Sequence, residues 1–296
     1  MTFEHVLQYL LAGITIGSIY AIVAIGFNII YNTTGIINFA QGEFLMMGAM
    51  TAVTFSRLVP LPLAIAIGIA VTVAVGVLID FVFIRNLKKP TVLNMIIVTI
   101  GLSIIIREVA LHVWDEKVRS LPYFTGDEIS SINILGAYIS PQALWVLGIC
   151  ATMVVLLNVF FKYSVMGRSM RACSANPVAA RLCGINTKNM VTMSFVLSAA
   201  IGALAGCVMS PITQTQYDCG TSLAIKGFTV AILGGLGNST GAIIGGLIVG
   251  ILEEFSISVM PLAYKDAIAI AILLLIMFFR PSGLFGKQEV SALKEF

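Results

Sequence analysis

Apolar runs close to the length of a bilayer crossing, separated by short polar breaks, occupy most of this chain. A helix needs about 20 mostly apolar residues to cross the hydrocarbon. That measure predicts nine membrane segments, at 6–31, 38–56, 61–84, 92–111, 141–161, 189–211, 223–236, 241–260 and 262–279. Two are irregular. The run at 38–56 opens on polar residues and 223–236 is short, so either could be broken or re-entrant, and eight crossings fit as well as nine. The runs are continuous rather than alternating over strand-length pieces, which excludes a membrane β-barrel. The expected fold is an all-α polytopic membrane protein: a bundle of eight to nine membrane segments with at least one broken or short helix, in a single transmembrane domain over 1–296.

Composition agrees. Hydrophobic residues make up 58% of the chain and charged residues 10%, against about 45–50% and about 25% in soluble domains. Mean hydropathy is +1.01. So few charges cannot clothe a soluble surface, and disordered, fibrous and nucleic-acid-binding classes are excluded with it.

The net charge of +3 matters less than where the cations sit. Three segments are basic: Arg85 with Lys88 and Lys89; the stretch 162–188, with Lys162, Arg168, Arg171, Arg181 and Lys188; and the tail, with Arg280, Lys287 and Lys294. They hold most of the 17 Lys and Arg and fall on one side if segments alternate. Basic loops stay cytoplasmic. The expected topology is therefore N-terminus out and C-terminus in, with 162–188 inside. The loop 112–140, with Asp115, Glu116, Asp127 and Glu128, is then outside. Glu4 and His5 stand where a cleavable leader carries cations, so the opening run reads as a first membrane segment.

The five cysteines are scattered without a CxxC pair, and His5 and His112 are the only histidines, so neither a metal site nor a disulfide framework is expected. Cys150 and Cys207, inside apolar runs, read as packing residues. Small residues four apart mark close helix crossings in membranes. Here they include Gly13, Gly17 and Ala21; Ser198, Gly202 and Gly206; and two adjacent ridges, Gly241/Gly245 and Gly246/Gly250.

Four stretches carry polar groups that need an explanation. From Asn28 to Glu43 three Asn, two Thr, a Gln and a Glu lie between apolar runs, and Gln41 and Glu43 lead directly into one. Polar groups at membrane depth must face protein or water. Asn28, Asn38, Phe39, Gln41, Glu43 and Phe44 are candidates for a solute pathway or gate, with a capped turn as the plainer alternative. The Gly-rich stretch 234–241, including Gly237 and Asn238, lacks a P-loop's Lys-Ser/Thr and follows an apolar helix. It reads as a tight turn near the inner mouth of the route. Glu253 and Glu254 are intramembrane carboxylates; one is expected to face a wet lumen or an arginine such as Arg107. Finally, 166–186 reads as a short amphipathic helix with Asn176 as N-cap, Pro177 at its start and Gly184 as stop. Such a helix can lie on anionic lipid or dock into a partner's groove.

Val178, Ala179, Ala180, Arg181, Leu182, Cys183 and Gly184 resemble the EAA-xxx-G cytoplasmic loop of ABC importer permeases, with Val178 in place of the Glu. The stretches 38–44, 99–107 and 234–241 resemble, in the same order, the branched-chain amino acid permease family of LivH type. The resemblance covers nearly the whole chain. It implies a permease subunit in the bacterial inner membrane, paired with a second related permease and two cytoplasmic ATP-binding subunits, and served by a periplasmic solute-binding protein. ATP and Mg would then be bound by the ATPases, this chain holding no cofactor and catalysing nothing itself. Arg171, Asn176, Pro177, Val178, Ala179, Ala180, Arg181 and Gly184 would couple it to them. Relatives carry branched-chain and other hydrophobic amino acids, and also urea and amides. The competing reading is a stand-alone ion-coupled carrier, with Glu253 or Glu254 as its coupling site.

Overall fold

The computed structural model describes residues 3–87, 91–127, 129–134, 136–258, 261, 264–280 and 282–286. Expectations resting on Lys88, Lys89, Glu128, Met260, Leu262, Lys287 and Lys294 lie outside them. The described residues form helices α1 (Phe3–Thr34), α2 (Gln41–Phe55), α3 (Leu61–Ile79), α4 (Val92–Trp114), α5 (Pro141–Tyr163), α6 (Val165–Ala175), α7 (Pro177–Leu182), α8 (Thr187–Thr213), α9 (Cys219–Gly234), α10 (Ser239–Ser256) and α11 (Lys265–Phe279). A π turn at Asp80–Ile84 extends α3, and one antiparallel hairpin joins β1 (Ile132–Ile134) to β2 (Ala137–Ile139).

Among the described residues, all nine apolar runs hold a helix, and six helices are long and apolar enough to cross a membrane: α1, α3 with its π turn, α4, α5, α8 and α10. Helix starts follow from side chains that satisfy orphan backbone N–H groups. Thr91 accepts from Asn94 N, Ser164 from Gly167 N, Asn186 from Asn189 N and Asn238 from Gly241 N. Pro60 precedes α3, with Pro62 in its first turn.

The chain divides into two compact units: Met1–Ile25 with Pro122–Val154 and Ile225–Phe296, and Gly26–Leu121 with Val155–Ala224. In the first, α1 crosses α10 at the glycine ridges. A Cβ on Gly13 would lie 2.7 Å from Ile251 Cα, and one on Gly17 2.5 Å from Gly246 O. The α9–α10 turn closes with Gly234 and Gly241 backbone against backbone. The Gln8 amide donates to Tyr138 O and accepts from Tyr138 N, both at 2.8 Å, completing the edge of β2.

In the second unit α2 is enclosed by α3, α4 and α8. Every residue of α2 except Met47, Thr54 and Phe55 is buried. Lipid is as apolar as Leu, so such packing depends on close backbone approach rather than on expelling water. Gly48 and Gly206 supply it. A Cβ on Gly48 would collide with Ala203, and one on Gly206 with Leu45 O. Around this crossing Phe44, Phe195, Ala199, Ile79, Leu102 and Ile30 form one buried cluster.

Gly48→Val should lower stability by about 1–3 kcal/mol by forcing α2 off α8. Gly101→Ala, whose Cβ meets nothing within 4 Å, should leave it unchanged or slightly raised. Melting of the detergent-purified chain compares them, and equal melting would refute the role given to the Gly48 contact.

Candidate functional site

The polar stretch that begins at Asn28 is shorter as a break than as a sequence. Helix α1 continues through Asn28 and Asn32 to Thr34 and stops at Gly35, whose φ of 71° is open to glycine at little strain. Gly35 N donates to Tyr31 O at 2.8 Å, and the break runs only to Ala40. Phe39 N is held by Thr99 Oγ1 at 3.3 Å, and Asn38 Oδ1 accepts from Ala40 N at 3.1 Å.

At the start of α2 the side chains turn into protein. Gln41 Nε2 donates to Ser198 O at 3.2 Å; Ser198 Oγ shares its one hydrogen between Gln41 Oε1 and, at 2.9 Å, Gly26 O. Glu43 Oε1 accepts from Ser103 Oγ at 2.9 Å and from Thr221 Oγ1 at 3.2 Å. Thr221 in turn accepts from Arg107 Nη1 at 3.4 Å, so a hydroxyl lies between guanidinium and carboxylate. Two buried atoms here, Asn38 Nδ2 and Glu43 Oε2, have no hydrogen-bond partner among the described residues. Asn28 is wholly buried in α1 and Phe44 in the cluster around α2. A small apolar hollow, lined by Ile30, Ile37, Asn38, Met95, Thr99 and Phe195, borders the break.

Glu253 and Glu254 do not take Arg107. Lys226 on α9 donates to Glu253 Oε1 at 2.7 Å, and Tyr20 OH donates to the same oxygen at 3.1 Å. Lys265 bonds Glu254 Oε1 at 2.6 Å and stands 3.8 Å from Glu253. One flexible lysine thus spans two carboxylates that adjacent helix positions point in different directions. Arg107 lies in the other unit, bonded to Thr221. Lys226 is the residue that sequence reasoning missed, and its signal was there: a lone charge inside the apolar run 223–236.

The 234–241 turn holds Gly235 and Gly237 at φ of 90° and 87°. The segment 282–286 lies against it, Leu284 N donating to Leu233 O at 2.8 Å and Asn238 Nδ2 to Phe285 O at 3.3 Å.

The basic stretch folds as a hairpin of α6 and α7. Gly167, Met170 and Cys173 face inward from α6, while Arg168 and Arg171 stay exposed. Asn176 Oδ1 accepts from Val178 N and Ala179 N, both at 3.0 Å, capping α7 ahead of Pro177. At the other end Gly184, at φ 82°, donates to Arg181 O and Ile185 N donates to Ala180 O, a Schellman stop. Both expected ends of this helix stand where the sequence put them. Ala180 is buried, Arg181 Nε is tied to Thr187 Oγ1 at 3.0 Å, and Val178 and Leu182 are 66% and 85% exposed.

Fold and site together are those of a multi-pass membrane protein: helices able to cross, one enclosed helix with a polar start, and a capped hairpin presenting apolar side chains. The family described as "Branched-chain amino acid transport system / permease component" matches residues 9–277. The permease protein BraD of the high-affinity branched-chain amino acid transport system of Pseudomonas aeruginosa is 35% identical, over 97% of both chains. LivH of Escherichia coli, described in the same words, is 35% identical over 97% of this chain and 98% of its own. A solved structure, PsaBC from Streptococcus pneumoniae in complex with Fab, is similar at a TM-score of 0.50 and 13% identity, covering 95% of this chain and 94% of that one; this likeness bears on fold alone.

The chain belongs to the branched-chain amino acid permease family. It is a permease subunit of the inner membrane and not an enzyme; ATP is hydrolysed on separate subunits, and the family binds no cofactor.

Removing Lys226 leaves the Glu253 carboxylate buried without its nearest cation. Lys226→Met should destabilise by about 3–5 kcal/mol, and Lys226→Met/Glu253→Leu should recover most of that. Melting of the purified chain reads both; a double variant no more stable than the single would refute the pairing.

Proposed function

We propose that this chain forms one half of the membrane pathway of an ATP-driven importer for branched-chain and other hydrophobic amino acids. A second related permease completes the pathway, two cytoplasmic ATP-binding subunits drive it, and a periplasmic binding protein delivers solute. The observation that carries this reading is the α6–α7 hairpin in a chain of this family. A helix of only six residues is capped at both ends and turns Val178 and Leu182 outward, beside the exposed Arg168 and Arg171. Unpartnered apolar side chains on so short and rigid an element suit the groove of an ATPase.

The topology that goes with it has nine crossings, N-terminus outside and C-terminus inside. Segments expected on one side pair with each other, which supports the alternation. Arg119 and Thr215, both in connections expected outside, exchange backbone bonds of 2.9 and 2.7 Å. The break before α2 and the first turns of α4, both expected inside, meet at Phe39 and Thr99. Helices α2, α9 and α11, at 15, 16 and 15 residues, are shorter than the hydrocarbon is thick. Enclosure by protein removes that demand for α2.

Solute passes the polar start of α2. Asn38 and Glu43 each keep one buried polar atom without a partner among the described residues, a donor and an acceptor for a zwitterion in transit. The carrier reading loses its coupling site, since Glu253 and Glu254 are engaged by Lys226 and Lys265.

Three measurements test this. In the complete complex, Val178→Asp/Leu182→Asp should abolish leucine uptake while the permease still inserts; full uptake would refute docking on α7. Asn38→Ala and Glu43→Ala should cut uptake tenfold or more with normal assembly, and unchanged uptake in both would end the pathway assignment. For topology, an impermeant thiol reagent applied outside should modify Asp127→Cys and spare Cys183, which should react only from inside. Cys173 should stay unmodified from either side, being 2% exposed with its thiol pKa pushed up by burial, which the Arg181 charge offsets only in part. The reverse pattern would overturn the orientation.

A further inference from the structure

Asp80 is wholly buried at the end of α3, and neither the proposed solute route nor the docking hairpin uses it. Its Oδ2 accepts from Arg85 Nε at 3.1 Å and from Thr192 Oγ1 on α8 at 2.6 Å; Arg85 Nη2 donates to the same threonine hydroxyl. The π turn makes this possible. Residues five apart on an α-helix lie about 140° apart around the axis, whereas the wider turn, closed by Arg85 N donating to Asp80 O at 2.9 Å, brings both side chains to one side. The Arg85 guanidinium also lies 4.3 Å above the Phe81 ring, a further restraint on its position.

A buried ion pair returns little net stability once desolvation is counted, and Asp80 Oδ1 has no partner among the described residues. What the cluster does supply is a rigid tie between two helices at one defined level. Thr192 stands five residues beyond Thr187, where Arg181 fastens α7 to the first turn of α8. Beyond the tie, Ile79, Ile84 and Phe195 share one buried cluster with Phe44 of α2. All these residues belong to the same compact unit.

We propose that Asp80, Arg85 and Thr192 are positioning residues for transport: they join α3 to α8 so that movement of the α6–α7 hairpin carries α3 with it and reaches α2. This rests on the reading of the hairpin as the ATPase dock. Coupling of this kind needs a measured response at both ends.

The test uses the complete complex with its ATPases, the other cysteines replaced by alanine, and a fluorophore at one of two places. One is native Cys183 beside the hairpin helix; the other is Leu63→Cys, exposed near the start of α3. Trapping with ATP and vanadate should change the signal at both sites. Asp80→Asn and Thr192→Val should keep the Cys183 response and reduce the response at position 63 at least fivefold, while Thr192→Ser, which keeps the hydroxyl, should restore it. Undiminished response at position 63 in Asp80→Asn and Thr192→Val would overturn the tie alone. No response at Cys183 in the parent would overturn the docking reading and the tie with it. A Thr192→Val complex that fails to assemble beside an intact Thr192→Ser would make the hydroxyl stabilising only, and would equally overturn the proposal.

Discussion

A helix whose first turn carries Gln41 and Glu43 can lie at membrane depth only where protein replaces water as its hydrogen-bonding partner. Much of the second unit follows from that constraint. Helix α2 is walled in by α3, α4 and α8, and Ser198, Ser103 and Thr221 are placed to meet its amide and carboxylate. An orphaned group there costs about 1–3 kcal/mol or more, so partners on three other helices fix the rotation and height of α2. Asn38 Nδ2, just before the helix, and Glu43 Oε2 and Thr51 Oγ1 within it stay buried with no hydrogen-bond partner among the described residues.

Enclosure of a helix on several sides requires neighbours that come very close. Gly48 and Gly206 allow this for α2, and Gly13, Gly17, Gly246 and Gly250 do the same for α1 and α10 in the first unit. Contacts of backbone on backbone leave no side chain between the helices. Charged side chains add ties of another kind: Lys226 with Glu253 within one unit, and Asp80 with Arg85 and Thr192 within the other.

The hairpin contrasts with both. Its capping is local: Asn176 at one end, Gly184 at the other, and only Ala180 of α7 turned inward. It holds its shape without deep packing.

The class of protein was legible in the sequence, because hydrocarbon imposes length and polarity on every crossing and leaves a one-dimensional record. All nine apolar runs hold helices, and the ends of α7 could be read because Asn, Pro and Gly act on backbone groups within three or four residues. Glycine spacing likewise announced which faces would touch, since helical period alone sets it. Partnership was another matter. Arg107 was the cation that the sequence suggested for Glu253 or Glu254, and only the packing of α9 beside α10 brings Lys226 to Glu253 instead. The break after α1 proved shorter than its polar stretch, because Asn28 and Asn32 stay within a helix that protein surrounds. Ser103, Thr221 and Thr192 carried no signal of their own. A hydroxyl becomes informative only when folding places it against a carboxylate far away in the chain, a distance that no local pattern encodes.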